Sequence, residues 1–383
     1  MRKRNLFPPF RILRNKFYGR KRTAPYPYPP KGTGHIFYLL CTYLYRICIH
    51  IATRGIGKMY KKLMALLLAA LTVWTAGGKI YAADGTGEKK YIKWVDFDVS
   101  AEALRDAMEV DVNSHGSECE IHWIELLSAL ATRYGGDFSR YKKSDLKDMV
   151  EKYRQGSDFC TLSKSEKTFA YYKEAYGAVL GGMLGEYTEI DADGTSREGY
   201  GLTAYSPIAK GYGYSHYDDF GASRSYGYKR KHLGHDLMGS VGTPIIAVES
   251  GYVEACGWNQ YGGWRLGIRS FDGKRYYYYA HLRKNHPYTD MYEGKIVDAG
   301  EVIGYLGMTG YSRKENTNNI DPPHLHYGMQ LIFDKSQKDG RNQIWIDMYE
   351  LTKFLYTQRS AVYKGEDGEF HAKAVRIPKN SLD

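Results

Sequence analysis

From about Ala204 onward, Gly residues and Asp-Gly pairs cut the sequence into short apolar runs, and this punctuation limits the possible folds more than any other feature of the chain. Pro244–Val248, Gly251–Glu254, Arg265–Arg269, Arg275–His281, Val302–Tyr305 and His324–Ile332 each have the length and composition of a strand. Short turns between such runs predict hairpins, and so an antiparallel β domain. Gly262-Gly263 is expected as a turn between two strands rather than a phosphate loop, because neither a helix start nor a Lys follows it. Asp347–Tyr356 reads as one closing helix.

The preceding stretch has a different period. Ser100 stands before AEALRDAMEV with an acidic residue in the first turn, the signature of an N-cap. Trp123, Leu126, Leu127, Leu130 and Ala131 recur at helical spacing until Gly135-Gly136 ends the run. Ser144 and Ser165 open two more candidate helices, running to Tyr153 and to about Leu184. Asp191, Asp193, Gly194, Ser196 and Gly199 give residues 186–203 the composition of a linker. The expected fold is therefore α+β: an N-terminal helical domain over residues 84–185, the linker, an antiparallel β domain over 204–360, and a C-terminal tail over 361–383.

Charge separates a leader from the body. Residues 1–58 hold 13 Lys or Arg and no Asp or Glu, so the whole-chain net charge of +11 comes from them and the remainder is nearly neutral. A nucleic-acid partner is not expected on that distribution. Met59-Tyr-Lys-Lys62, the apolar run Leu63–Trp74, and small residues up to Ala82 or Ala83 follow the order of a secretory signal peptide. The run is shorter than the roughly 20 residues that span a bilayer. Residues 59–83 are expected to act as a signal peptide or an uncleaved anchor, with any membrane contact through residues 59–78. Translation from Met59 is the favoured account of the residues upstream of it. Only Cys119, Cys160 and Cys256 follow Asp84, and no CxxC pair is present, which excludes a thiolate zinc finger. A Cys119–Cys160 disulfide and independent free thiols both fit an exported chain.

Catalytic zinc sites use three protein ligands from His, Asp and Glu and leave one position open. Five of the 12 His fall in three short segments of the expected β domain. His232-Leu-Gly-His-Asp236 offers a nitrogen and an oxygen ligand, His232 and Asp236, four residues apart across a Gly-containing bend. Tyr279-Ala-His281-Leu ends a run of four tyrosines. Pro323-His324-Leu-His326-Tyr327 places two His on one face of a strand, since residues two apart point the same way. A lone His is usually structural and a lone HxH is weak; HxxxD with a later HxH, each beside Gly or Pro, is much less common by chance. His115 and His122 around Cys119 lack a second ligand pair at matching spacing and read as ordinary surface or core side chains.

At this point residues from about Ser206 to Tyr356 resemble the lysostaphin/LytM-type zinc endopeptidases of family M23. The matching text is Tyr226-Gly-Tyr-Lys-Arg230, His232-x-Gly-x-Asp236, Gly242-Thr-Pro-Ile245, Ala247, Gly251-Tyr-Val253, Tyr279-Ala-His-Leu282, Gly300-x-x-Ile303-Gly304, Gly307-x-Thr-Gly310 and His324-Leu-His326. The resemblance covers roughly two-fifths of the chain. It implies a LytM/lysostaphin-like, duplicated-hybrid-motif type β-sheet catalytic domain that cuts peptide bonds in bacterial cell walls. Carried over by position, it implies one zinc ion per chain held by His232, Asp236 and His326, with His281 and His324 as the catalytic pair, and no role for His235. Two neutral imidazoles and one carboxylate leave a divalent ion net positive, which suits lowering the pKa of its bound water toward ~7. Either His281 or His324 then takes the proton or meets the oxyanion. The family runs from its TG turn to HLH in a few residues; here Tyr311 to Pro323 is longer, so the resemblance does not specify that wall of the cleft.

The reading that follows is an exported peptidoglycan endopeptidase, secreted or held at the outer face of the membrane. Residues 84–185 would then be a spacer, a regulatory cover or a wall-positioning module. The alternative is a non-catalytic envelope scaffold or activator on the same fold, as in sporulation or division; such relatives lack ligands that this chain keeps. A muramidase-like unit around Glu125 is disfavoured, since no second carboxylate partner is recognisable. Tyr276–Tyr279 with Trp258, Tyr261 and Trp264 read either as a peptide groove or as alternating strand residues, half of them core.

Overall fold

The computed structural model describes residues 91–379 apart from 226–228 and 339. The leader, the signal or anchor segment, Cys41, Cys48 and the Tyr226-Gly-Tyr228 part of the family pattern lie outside the described residues. Among those described, no helix is long and apolar enough to cross a membrane.

Side-chain caps at Ser100 and Ser165 start two helices where the sequence indicates, whereas the helix expected from Ser144 begins one residue earlier, behind Lys142, which provides no side-chain cap. Helix α1 (Ala101–Ser114) begins behind Ser100, whose hydroxyl accepts from the Ala103 amide. Helix α2 (Trp123–Tyr134) buries its predicted stripe and stops at Gly135, which is left-handed at φ 69°. Helix α3 (Lys143–Arg154), the single turn α4 (Phe159–Leu162) and α5 (Glu166–Leu180) complete the layer. The last helix ends four residues before the expected Leu184. Gly181-Gly182 follows it, and a Cβ on Gly182 would strike the carboxylate of Glu249.

Among the described residues, seventeen strands follow: β1 (Leu184–Asp191), β2 (Ser196–Leu202), β3 (Ser215–Tyr217), β4 (Ser223–Arg224), β5 (Arg230–Lys231), β6 (His235–Met238), β7 (Pro244–Ile246), β8 (Gly251–Asn259), β9 (Gly263–Ser270), β10 (Arg275–Ala280), β11 (Ile296–Val297), β12 (Val302–Tyr305), β13 (His324–Leu331), β14 (Ile344–Ile346), β15 (Val362–Lys364), β16 (Phe370–Ala372) and β17 (Ala374–Pro378). Helix α6 (Tyr349–Leu355) lies between β14 and β15. The main sheet runs β11-β8-β9-β10-β13-β6-β3, with β14 also paired to β13, and every pairing is antiparallel. The fold is α+β, with helices first and the antiparallel sheet after them.

Two expected boundaries are corrected. Residues 186–203 are not a linker: they fall within the β1–β2 hairpin, with Leu184 opposite Leu202 and Ile190 opposite Ser196. Asp191, Asp193 and Gly194 form only its tip, and composition alone cannot tell a hairpin tip from a linker. Residues 361–383 are not a free tail either. Strands β15 and β16 pair with each other, and β17 pairs with β1 to complete a three-stranded sheet.

The helical layer shares its core with the sheet. Leu126, Tyr176 and Val179 belong to the same buried cluster as Ile268, Tyr277 and Phe354. The amide of Ala101 donates to Glu350 Oε2 at 2.7 Å, tying α1 to α6. Cys119, Cys160 and Cys256 are free thiols, and Glu125 is ion-paired with Lys173.

Candidate metal centre and cleft

Sheet register brings the distant candidates together. Strand β6 pairs with β13 so that Asp236 lies opposite His326, and β10 pairs with β13 so that Ala280 lies opposite His326. Asp236 and His326 are cross-strand neighbours, and such pairs share a face. His232 reaches the same face from the bend between β5 and β6, while His281 follows Ala280. Gly234 makes room in that bend: a Cβ there would lie 2.5 Å from Cε1 of His326.

Three ligand atoms converge. Nε2 of His232 is 3.1 Å from Oδ1 of Asp236 and 2.9 Å from Nδ1 of His326, and that nitrogen is 3.0 Å from the same oxygen. A tetrahedral ion with bonds of about 2.0–2.1 Å spaces its ligands about 3.3 Å apart, close to this triangle. Protons explain it less well, because each ring nitrogen carries at most one and three mutual contacts need three donors. Among the described residues this is the one group of three or more His, Cys, Asp or Glu placed to hold a metal. The residues present fit a zinc ion.

The surroundings prepare the ligands. Nδ1 of His232, the nitrogen facing away from the triangle, is 2.7 Å from Oδ1 of Asp219. The contact lacks hydrogen-bond geometry, so the carboxylate acts on the ring through its charge, favouring a proton on Nδ1 and leaving Nε2 for the triangle. Arg224 pairs with Asp219 and also with Oδ2 of Asp236 at 3.1 Å, leaving Oδ1 of Asp236 toward the histidines. Burial pushes the Asp236 carboxyl upward, but the contacts with His232 and His326 outweigh it and hold the group far below the usual carboxylate range. His232 is raised, because its two carboxylate neighbours override the burial that favours its neutral form, whereas burial keeps His326 lowered.

His281 and His324 face the triangle as a matched pair. Nδ1 of His281 donates to the carbonyl of Thr309 at 2.8 Å, and Nδ1 of His324 to the carbonyl of Pro322 at 2.8 Å. Because carbonyls only accept, both rings carry the proton on Nδ1 and leave Nε2 as a bare acceptor when neutral. The ring centroids are 4.9 Å apart, and Nε2 of His324 is 3.7 Å from Oδ1 of Asp236. Burial lowers His281 to about 3. Its left-handed backbone, φ 62°, turns the ring in from the end of β10. His235 points to the opposite face of β6, where its Nε2 lies 2.8 Å from Nδ1 of His216.

The site opens into a cleft of about 860 Å³. Tyr276 and Tyr278 line it, whereas Tyr277 and Tyr279 are fully buried, so the run alternates as strand residues with half of them core. Tyr261 lines the cleft, and Trp258 and Trp264 do not. Tyr311, Asn319, Ile320, Asp321 and Pro322 of the long segment form one wall, and Gln343 and Trp345 contribute another. Sequence reading identified neither Asp219 nor Arg224. Neither has a spacing relation to the His segments that one sequence could reveal.

Two histidines and a carboxylate converge in an open cleft on an antiparallel sheet, an arrangement that can hold a metal ion with space beside it. Residues 230–342 match "Peptidase family M23". The likeness to that family is a likeness of this domain, residues 230–342. It is 38% identical over 136 residues to an L-Ala–D-Glu endopeptidase of Bacillus subtilis, covering 36% of this chain and 39% of the relative. It is 36% identical over 119 residues to a lysostaphin of Staphylococcus staphylolyticus, covering 31% of this chain and 21% of that one. The chain thus spans well under half the length of either relative. A Ruminococcus gnavus crystal structure, described as a proposed glycyl-glycine endopeptidase lytM, covers 70% of this chain and 91% of its own at 21% identity and a TM-score of 0.46.

Proposed function

We propose that the protein is an exported zinc-dependent endopeptidase that hydrolyses peptide bonds in the stem peptides or cross-bridges of bacterial peptidoglycan. The observation that carries this reading is the convergence of Nε2 of His232, Oδ1 of Asp236 and Nδ1 of His326 within 2.9–3.1 Å of one another, beside two histidines of matched tautomer. The relatives' names support the substrate class: one is an L-Ala–D-Glu endopeptidase and another is a peptidoglycan DD-endopeptidase.

His232, Asp236 and His326 would hold the zinc. When bound, zinc supplies a Lewis acid that polarises a peptide carbonyl and acidifies water. The bare Nε2 of His281 or His324 takes a proton from water as its oxygen adds to the carbonyl carbon. The same proton passes to the leaving nitrogen as the C–N bond breaks, giving a carboxylate and an amine. Both rings are fixed by backbone carbonyls, so they need no reorientation to act. The cleft has room for an extended peptide along Tyr276 and Tyr278. Residues 59–83 would direct the chain out of the cytoplasm.

Incubating the full chain with cell-wall sacculi, with and without a chelator and with zinc restored, tests the reading. New muropeptides, identified by mass, should appear only with metal. If none form under any condition while zinc is bound, the hydrolase reading is refuted.

A further inference from the structure

Building on the endopeptidase reading, we propose that Arg230 is a specificity residue that receives a carboxylate of the substrate, so that the cleft selects an acidic peptide over a neutral one such as oligoglycine. Arg230 lies in β5, two residues before His232, and both line the cleft. Its guanidinium stands between the rings of Tyr261 and Tyr311, 5.2 Å from each centroid. Its Nη2 donates to the Tyr311 hydroxyl at 2.7 Å. Aromatic contacts of this kind attract the cation and fix the plane of the fork. A guanidinium already oriented loses little freedom on receiving a carboxylate, and its planar geometry matches two oxygens.

The charges around Arg230 point the same way. Arg224, Arg230 and Lys231 line the cleft, against Asp236 and Asp321. Asp236 is already engaged by the two ligand histidines and by Arg224. Across the β4–β5 ladder, Arg224 is directly opposite Arg230. Like charges in that relation destabilise a ladder. Two carboxylates offset Arg224. Such a cleft concentrates anionic ligands and disfavours none of the neutral ones, so discrimination falls to the oriented fork. The clamp also joins the β8–β9 turn to the long Tyr311–Pro323 segment, which places the proposed subsite on the wall that departs from the family pattern.

The test uses the zinc-loaded full chain and two stem peptides that differ only in one side-chain carboxylate, free in one and amidated in the other, with pentaglycine as a neutral control. The wild type should favour the free carboxylate by about 10- to 100-fold in kcat/KM, the range of a hydrogen bond to a charged group. Arg230→Gln should bring the two rates together. Equal rates in the wild type, or an unchanged preference in the variant, would overturn the proposal. So would an equal loss on both peptides, which would mark Arg230 as a staple for the two tyrosines. Calorimetric binding of the acidic peptide separates this inference from the hydrolase reading. Arg230-dependent binding without any cutting would remove the reaction and keep the subsite; cutting without discrimination would do the reverse. Neither cutting nor Arg230-dependent binding would remove both.

Discussion

Replacing Asp219 by Asn isolates the support that the fold gives to its metal ligands. Asp219 Oδ1 lies 2.7 Å from Nδ1 of His232, and the two side chains are only 13% and 6% exposed. Their interaction is therefore poorly screened by water. Asn keeps the shape of the carboxyl but loses its charge, so His232 becomes a weaker and less oriented donor to zinc. Arg224 loses one of its two carboxylates and keeps Asp236, which draws that ligand's charge away from the site. Loss of such a supporting carboxylate costs about 10- to 100-fold in metal affinity. That is about 1.4–2.7 kcal/mol, and the shielded setting argues for the upper half of the range. Zinc affinity is read on the full chain by competition with a chromogenic chelator, beside a thermal melt that shows the fold intact. An affinity within about twofold of wild type, in an assay where His232→Ala abolishes binding, would show that Asp219 is a bystander.

Three further outcomes follow from the same geometry. His324→Ala should keep zinc and lose about 100- to 10,000-fold in turnover if it is the proton acceptor, whereas His326→Ala should lose zinc as well; metal content measured beside cleavage rate separates them. Gly234→Ala should lower zinc affinity with little change in the rest of the sheet, because its Cβ would lie 2.5 Å from the His326 ring; unchanged affinity by chelator competition counts against that close fit. The metal-free protein should lose stability on acidification. His235 and His281 are each lowered to about 3 by burial, so between about pH 6.5 and 3 the unfolded chain binds protons that the folded chain refuses. From pH 7 to 5 this costs about 2 kcal/mol for each, and urea unfolding at the two pH values measures it. A flat profile would mean that both rings are solvated in solution.

The chemistry of the centre was legible because strand geometry repeats it in one dimension. His324 and His326 share a face by alternation, and the Gly between His232 and Asp236 permits the bend. Tyr276 and Tyr278 separate from Tyr277 and Tyr279 by the same rule. What remained hidden depends on pairings that no period records. Asp219 and Arg224 reach the site from a loop and a two-residue strand, where spacing carries no information. The β1–β2 hairpin resembled a linker because its tip holds the Asp and Gly while its pairing partner, β17, lies at the far end of the chain. The Asp191–Ala374 pairing spans well over half of the described segment, beyond the reach of any local window.

The helical segment is part of the platform beneath the centre, tied to the sheet through Arg275. Its side chain is almost fully buried, with Nε and Nη2 donating to Glu249 at 2.8 and 2.9 Å. The remaining Nη1 donates to the carbonyl of Ala178 in the last turn of α5, at 2.8 Å. Tyr277, on the same face of β10, donates its hydroxyl to Glu249 at 2.6 Å. Tyr276 and Tyr278 point the other way, into the cleft. The helices therefore back the sheet on the face away from the metal ligands. A cover that swung off the active site would have to lie over the cleft, and this layer does not. Undocking it would break the charged hydrogen bond from Nη1 to Ala178, worth about 1.5–3 kcal/mol, and would open the apolar core that Tyr176 and Val179 share with Ile268 and Tyr277. Strand β10 ends at Ala280, one residue before His281. Clamping its first residue to the helices holds the register that delivers His281 and, through the pairing with β13, His326.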